Sequence, residues 1–273
     1  MEDINNNHLS IIVMSCDKYS GIWDDFFNLK ERFWPECPFK TYLATDSKEF
    51  KRDGVETIHF GNIREWSKCV RETVNKIDTP YVCLWLEDAL ICEKVDTSIW
   101  QSNMQYIIDN KVDYFCVEIK RRFKPDEMKE AAPHIRIIDP HQRYGVDTAV
   151  AIWERNYFLD KLQKDCNAWQ FEVDRCTEAA TEEGIKGVTL YDERHPANVS
   201  PIEVLRRGEL RPEAIQFFDS IGYHLNTEDL PVMSKWKVFK ENIRTIAAKS
   251  KHGKKALKRI GKLLGFYVYT DNQ

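Results

Sequence analysis

The 273-residue sequence lacks most of the short patterns that assign a chain to a function directly. It has no run of about 18 apolar residues, which excludes a membrane-spanning helix. It has no Gly-x-Gly-x-x-Gly dinucleotide fingerprint, no Gly-x-Ser-x-Gly nucleophile motif and no His-Glu-x-x-His metal spacing. The first ten residues, MEDINNNHLS, are polar, so we expect no signal peptide here.

Paired cysteine spacings are also absent. The eight cysteines are scattered without a Cys-x-x-Cys pair, and several lie inside apolar, strand-like runs. This distribution is typical of reduced, mostly buried thiols rather than of a disulfide framework or a zinc site. We therefore expect a cytoplasmic protein.

The net charge of −4 conceals an uneven distribution of charge along the chain. Residues 1–233 carry 29 basic and 42 acidic groups, whereas residues 234–265 carry 11 Lys or Arg and a single acid, Glu241. The acidic body argues against nucleic acid as a partner. The basic tail predicts an anionic partner.

Apolar runs of strand length alternate with segments of helical spacing along most of the chain. This order predicts an α/β fold in which helices flank a mostly parallel sheet. We expect one domain over residues 1–232 and a basic amphipathic helical tail over residues 233–273. Residues 120–142 interrupt the pattern with a polar, proline-containing insertion, which is typical of a lid or an acceptor-side loop.

The most informative stretch is YVCLWLEDAL, at residues 81–90. Its first six residues are apolar, as expected of a strand covered on both faces in the middle of a sheet. Glu87 and Asp88 follow at the carboxyl end of this strand, which is where α/β proteins place ligands. Two adjacent acids repel each other unless a cation lies beside them, and Mg²⁺ or Mn²⁺ suits a phosphate-handling site. Such a pair also occurs as a helix cap or a solvated turn, so the residues alone leave both interpretations open.

The first strand, at residues 9–15, is followed by a short polar loop and a helix. This is the opening of a Rossmann-like nucleotide site. Asp17 and Asp46 each end a predicted strand, where they are placed to hydrogen-bond a base or ribose or to close a turn.

Four segments together resemble a GT-A glycosyltransferase. They are IIVMSCDKYSGIWDDFFNLKERFWPECPFKTYLATD, EWSKCVRETVNKIDTPYVCLWLEDAL, TAVAIWERNYFL and AWQFEVDR, and they fall in this order within residues 9–210. The set is similar to motifs of bacterial glycosyltransferase-like proteins of surface-polysaccharide synthesis.

The resemblance implies a role for each acid. Asp88, assisted by Glu87, would bind Mg²⁺ or Mn²⁺ that bridges the diphosphate of a nucleotide-sugar donor. The usual motif is rich in Asp, so Glu87 departs from it. Glu172, with Asp174 as a second candidate, would be the base that deprotonates the acceptor hydroxyl in an inverting reaction. The resemblance places further substrate- or nucleotide-binding groups at Ser15, Asp17, Lys18, Asp46, Trp66, Lys68, Arg71 and Trp169.

Residues 235–264 combine lysines with an apolar stripe that begins with Trp236 and Phe239. This composition is typical of a helix that lies on an anionic membrane surface, although the stripe could instead pack on the body. We therefore expect a cytoplasmic glycosyltransferase, peripheral on the inner face of the membrane, with a glycan or lipid-linked acceptor. A sugar-nucleotide nucleotidyltransferase and a non-catalytic GT-A-like binding protein are the alternatives.

Overall fold

The computed structural model describes residues 7–239 and has an α/β architecture. The strands are β1 (Leu9–Met14), β2 (Lys40–Thr45), β3 (Val55–His59), β4 (Tyr81–Leu86), β5 (Tyr114–Cys116), β6 (Glu130–Ala132), β7 (Ile135–Ile137), β8 (Ala151–Glu154), β9 (Thr189–Asp192), β10 (Leu205–Arg206) and β11 (Glu209–Leu210). The α-helices are α1 (Trp23–Phe33), α2 (Trp66–Val74), α3 (Thr97–Asp109), α4 (Arg155–Lys161), α5 (Ala168–Ala179) and α6 (Pro212–Ser220). Short 3₁₀ helices cover Asp17–Ile22 and Pro125–Glu127.

Nine of these strands form one sheet in the order β3-β2-β1-β4-β8-β5-β9-β7-β6. β1 pairs in parallel with both β2 and β4, and β5 pairs in parallel with β9. β8 lies between β4 and β5 and is antiparallel to both, and β7 is antiparallel to β9. The prediction of a mostly parallel sheet is confirmed, with β7 and β8 as its reversed strands within residues 7–239.

The two faces of the sheet carry separate hydrophobic cores. Successive residues of β4 alternate between them: Trp85 packs on the face covered by α1, α3 and α6, and Leu84 on the face covered by α2, α4 and α5. Because both faces are covered, a central strand can be apolar throughout. The predicted arrangement of helices on both sides of the sheet is therefore confirmed.

Two segments gain detail from the structure. Within TAVAIWERNYFL, β8 begins at Ala151, and residues 147–150 form a turn before it. Within the insertion at residues 120–142, β6 and β7 form a hairpin that extends the sheet beside β9. The role of this insertion as a lid or an acceptor-side loop stays a prediction.

All eight cysteines are free, as predicted, and five of them are buried. Among residues 7–239, no helix is both long and apolar enough to cross a membrane.

The proposed boundary at residue 232 falls in a segment that is still attached to the body. The amide of Met233 donates to the Leu210 carbonyl at 2.8 Å, and the amide of Leu210 donates to the Pro231 carbonyl at 2.8 Å. The division into residues 1–232 and 233–273 stays a prediction, because the tail from residue 240 onward lies outside the described residues.

Candidate functional site

A tight turn directly after β4 carries the acidic pair. The amide of Ala89 donates to the Leu86 carbonyl at 3.0 Å, and the Trp85 indole donates to the Ala89 carbonyl at 2.7 Å. The turn therefore fixes Glu87 and Asp88 at the carboxyl end of β4. The ends of β1, β2, β5 and β9 lie at the same edge of the sheet because these strands share the direction of β4.

The acidic pair has no cation of its own in the described part of the chain. Within residues 7–239, no ion pair and no hydrogen bond from another side chain reaches Glu87 or Asp88. Burial, followed by repulsion from Asp88, raises the pKa of Glu87. Burial also raises the pKa of Asp88, with a further contribution from Glu203. A bound cation would favour the ionised carboxylates, so its binding would release protons.

A cavity of about 410 Å³ opens beside this turn. Several acidic side chains line it, together with one arginine, a threonine and apolar groups. Among these residues are Asp88, Glu118, Arg121, Asp147, Thr148, Glu172 and Glu203. The structure thus brings Asp88 and Glu172 to one cavity although they lie 84 positions apart in the sequence.

Glu172 lies in the second turn of α5, which begins after a cap formed by the Asn167 side chain. Its Oε1 accepts hydrogen bonds from the amide of Thr148 at 3.2 Å and from the Thr148 hydroxyl at 2.6 Å. Within residues 7–239, its Oε2 has no hydrogen-bond partner. Burial and, to a lesser extent, the nearby Asp147 raise the pKa of Glu172 above its ordinary range.

Asp174, the second candidate for the base, faces elsewhere. Its carboxylate accepts from Lys164 at 2.8 Å and from the Gln170 side chain at 2.8 Å. These bonds hold its pKa below the usual value despite partial burial. Asp174 is absent from the lining of the cavity, so of the two acids only Glu172 lies where a substrate would bind.

Four further residues of the site are missing from the sequence predictions: Glu118, Lys120, Asp147 and Thr148. Glu118 is the second residue after β5, as Asp88 is the second residue after β4. This repetition of an acid after an inner strand is a signal that could have identified Glu118. Lys120 is buried and pairs with Asp147 at 2.5 Å. Burial alone would lower the pKa of Lys120, but the Asp147 carboxylate, together with Cys116 and Glu118, outweighs burial and the pKa is raised. No local pattern marks Lys120 or Thr148.

The predicted nucleotide-binding residues after β1 and β2 form a hydrogen-bonded unit. The Asp17 carboxylate accepts from the Thr45 hydroxyl at 2.5 Å, from the Ser47 hydroxyl at 2.7 Å and from the Lys48 amide at 2.9 Å. Although its burial acts in the opposite direction, these bonds hold the pKa of Asp17 well below its usual range. The Asp17 amide in turn donates to Asp46 at 3.1 Å. Asp17 therefore joins the two loops.

The other predicted binding residues occupy varied surroundings. The Ser15 hydroxyl accepts from the Trp23 indole at 2.7 Å, and Lys18 is exposed beside the ring of Tyr19. The rings of Trp66 and Phe171 are in contact, with centroids 5.4 Å apart. Lys68 is half-buried and Trp169 is exposed. Nucleotide binding by Ser15, Lys18, Trp66, Lys68 and Trp169 stays a prediction.

Arg71 has a structural role that the sequence did not suggest. Its guanidinium donates to the carbonyl of Leu162 at 2.7 Å and pairs with Asp165 at 3.1 Å. These contacts tie α2 to the connection between α4 and α5. If Arg71 binds a nucleotide, it must do so with the guanidinium N–H groups that Leu162 and Asp165 do not use.

Glu87 and Asp88 suit a metal ion that takes some of its ligands from a substrate. Within residues 7–239, no three His, Cys, Asp or Glu side chains are grouped closely enough to hold a metal ion. Mg²⁺, however, commonly binds through one or two carboxylates and completes its shell with water and substrate phosphates. The adjacent, unpaired Glu87 and Asp88 fit a cation shared with a bound diphosphate and do not fit a cation held by protein ligands alone.

Comparisons with known proteins give only distant similarities. No protein-family model and no curated protein match the sequence. Among solved structures, TarS residues 1–349 from S. aureus match at 11% identity with a TM-score of 0.44, covering 67% of this chain and 60% of that fragment. The mannosyltransferase PcManGT from Pyrobaculum calidifontis, in complex with GDP-Man and Mn²⁺, matches at 12% identity and a TM-score of 0.43, with 95% and 81% coverage.

A cytidylyltransferase from Leptospira borgpetersenii also matches, at 9% identity and a TM-score of 0.39, with 64% of this chain and 72% of that chain covered. The chain thus spans about 60% of the TarS fragment. Every one of these TM-scores is below 0.5, too low to transfer a function or a ligand. What the fold and site define is an α/β protein with a carboxylate-lined cavity at the carboxyl edge of its sheet.

Proposed function

We propose that this protein is a glycosyltransferase of the GT-A type, which moves a sugar with inversion from a nucleotide-sugar donor to a saccharide or lipid-linked acceptor in surface-polysaccharide synthesis. One observation carries the proposal: Asp88, after the central strand β4, and Glu172, on α5, line the same cavity. This transfer needs one carboxylate near the departing diphosphate and another near the attacking hydroxyl.

On the donor side, Asp88 with Glu87 would hold Mg²⁺ or Mn²⁺. The bound cation would offset the negative charge that grows on the departing nucleoside diphosphate. The protein contributes the position of the two carboxylates, fixed by the turn after β4, and their lack of a competing cation within residues 7–239. The loop after β1 lies close to the pair. Burial and then Glu87 raise the pKa of Cys16, and burial, Cys16 and then Glu87 raise the pKa of Tyr19.

On the acceptor side, Glu172 would take the proton of the hydroxyl as its oxygen attacks the anomeric carbon of the donor. The two bonds to Thr148 hold Oε1 in place, while Oε2 keeps lone pairs that no described residue uses. A carboxylate whose pKa is raised by burial is a stronger proton acceptor when ionised. The bond from the sugar to the diphosphate breaks as the bond to the acceptor oxygen forms.

The proposal is tested by incubating the purified protein with a panel of nucleotide sugars, with and without Mn²⁺. We expect Mn²⁺-dependent release of free nucleoside diphosphate from at least one donor, by slow hydrolysis in the absence of acceptor. Release of pyrophosphate from a sugar phosphate and a nucleoside triphosphate would instead establish a nucleotidyltransferase. No turnover with any donor, from a folded protein that still binds nucleotide, would establish a non-catalytic binding protein.

The loop after β1 bears on the nucleotidyltransferase alternative. Such enzymes normally carry a basic, glycine-rich loop at this position, whereas residues 16–21, CDKYSG, contain one glycine. A Cβ on Gly21 would lie 2.8 Å from the Cβ of Asp229. Close packing against Asp229 therefore accounts for this glycine without a phosphate.

We further propose that residues 235–264 bind an anionic membrane surface from the cytoplasmic side. In the described part of this segment, Trp236 and Phe239 are 62% and 53% exposed, and their rings stack with centroids 5.6 Å apart. Exposed aromatic side chains beside lysines suit the boundary between lipid headgroups and acyl chains.

Vesicle sedimentation measures this association. We expect the protein to sediment with vesicles containing anionic phospholipid at low salt, and to be released as the ionic strength rises. Trp236→Ser with Phe239→Ser is expected to weaken sedimentation. Equal binding to vesicles of purely zwitterionic lipid, or no binding to either kind, would contradict the proposal.

A further inference from the structure

The turn at residues 147–150 offers three successive amides to three different carboxylates. Thr148 donates to Glu172 at 3.2 Å, Ala149 to Asp147 at 3.0 Å, and Val150 to Glu118 at 2.8 Å. Glu118, Asp147 and Glu172 all line the cavity. The turn is therefore the element that sets where these carboxylates stand relative to one another.

Thr148 is the residue of this turn that holds Glu172 by hydrogen bonds. It donates twice to the same oxygen, from its amide and, at the shorter distance of 2.6 Å, from its hydroxyl. Its side chain is 8% exposed, so water competes poorly for the hydroxyl. A hydrogen bond from a buried hydroxyl to a carboxylate stabilises the ionised form and removes the rotational freedom of the acid.

The turn is anchored from beneath by a buried ion pair. Lys120, 7% exposed, pairs with Asp147 at 2.5 Å and donates to the hydroxyl of Tyr114 at 3.1 Å. Breaking a buried pair by removing one partner is strongly destabilising, so this anchor resists displacement. The ion pair of Asp147 with Lys120 therefore holds the adjacent Thr148 in place, and Asp147 itself makes no hydrogen bond to Glu172.

We propose that Thr148 is the positioning residue of this site: its hydroxyl fixes the Oε1 atom of Glu172 and leaves Oε2 as the atom that takes the proton of the acceptor. The inference rests on the proposed function for the proton-transfer half, whereas the hydrogen bond to Glu172 stands independently of it.

Several charged groups surround Glu172 and share in setting its ionisation. Asp147 opposes ionisation and Lys120 favours it. Across the cavity lie Asp88, Glu118, Arg121 and Glu203, and on α5 itself Asp174 and Arg175 are engaged by Lys164 and Glu178. None of these groups is altered when the Thr148 hydroxyl is removed, so a substitution there isolates the hydrogen bond.

The experiment compares the wild type with Thr148→Val, which keeps the shape but lacks the hydroxyl, and with Thr148→Ser, which keeps the hydroxyl. Titration of the Glu172 carboxyl by ¹³C NMR, with Glu172→Gln to assign the signal, gives its pKa in each folded protein without any substrate. We expect Thr148→Val to raise that pKa by about 1, as removal of one charge-assisted hydrogen bond implies, and Thr148→Ser to restore it.

The same variants are assayed for donor hydrolysis and transfer as a function of pH. We expect the acidic limb of kcat in Thr148→Val to move upward in parallel with the NMR titration, and kcat at its plateau to fall about 10-fold. An unchanged Glu172 pKa in Thr148→Val, or a pKa that Thr148→Ser fails to restore, would overturn the hydrogen-bond assignment. A shifted pKa with an unmoved rate profile would overturn the role of Glu172 as base and leave the hydrogen bond established.

Discussion

Replacing Asp88 with Asn is expected to abolish Mn²⁺-dependent binding of a nucleoside diphosphate and to lower kcat/KM for transfer by roughly 100-fold or more, since metal-assisted charge stabilisation contributes several kcal/mol. The amide keeps the shape of the side chain but loses the negative charge that attracts the cation. Calorimetric titration of Mn²⁺ with nucleoside diphosphate measures the loss.

The fold is expected to survive this substitution. Burial raises the pKa of Asp88, which means that its charge is costly in the folded state, so a neutral amide should not lower the urea midpoint at pH 8. Asp126→Asn, at an exposed position in the Pro125–Glu127 turn, is the matched control and should titrate like the wild type. Titration heats for Asp88→Asn that equal those of the control would refute the assignment of Asp88 to the cation.

Replacing Glu172 with Gln is expected to reduce kcat by roughly 10²- to 10⁴-fold with little change in donor affinity, as is typical when a general base is removed. The amide oxygen can still accept from Thr148, so the local structure is retained. Steady-state kinetics with a donor identified in the screen, together with donor binding by calorimetry, separates the two effects.

Asp174→Asn is the control on the same helix. Its carboxylate is engaged by Lys164 and Gln170 away from the cavity, so kcat should stay within about twofold of wild type. Full transfer activity in a folded Glu172→Gln protein would show that Glu172 is not the base.

The kcat of the wild type is expected to increase with pH in the acidic range. Only the ionised Glu172 accepts a proton, and burial raises its pKa, so kcat should rise with pH through a midpoint above the ordinary range near 4.5. Asp88 and Glu87 also have raised pKa values, so metal binding should likewise strengthen as the pH rises. In Glu172→Gln, the acidic limb of kcat should disappear while the pH dependence of metal binding persists.

Much of the fold could be predicted because local signals were strong. β4 was expected at residues 81–86 and is Tyr81–Leu86, since Pro80 and the acidic pair bound an unbroken apolar run. α6 begins at Pro212, and proline is a residue favoured at the first position of a helix. The direction of β8 could not be predicted, because an apolar run has the same sequence whether its neighbours are parallel or antiparallel.

Of the site residues, only the acids near the ends of strands and helices could be predicted from the sequence. Asp88 follows an inner strand, and Glu172 lies early in a helix that Asn167 caps. Lys120 was assigned to a polar insertion, yet it is buried because Asp147, 27 positions later, neutralises it. A contact between residues so far apart in sequence produces no periodic pattern that could be recognised. The same holds for the hydrogen bond from Thr148 to Glu172.

The segment between β5 and β8 begins and ends at neighbouring positions of the sheet, and its own strands β6 and β7 extend the sheet beside β9. At its neck, the Val117 amide donates to the Val150 carbonyl at 3.1 Å and the Val150 amide donates to Glu118 at 2.8 Å. Because the ends are closed independently of what lies between them, extending such a loop adds little entropic cost. Changes in the exposed residues of this segment can therefore be accommodated without moving Glu118 or the turn at residues 147–150.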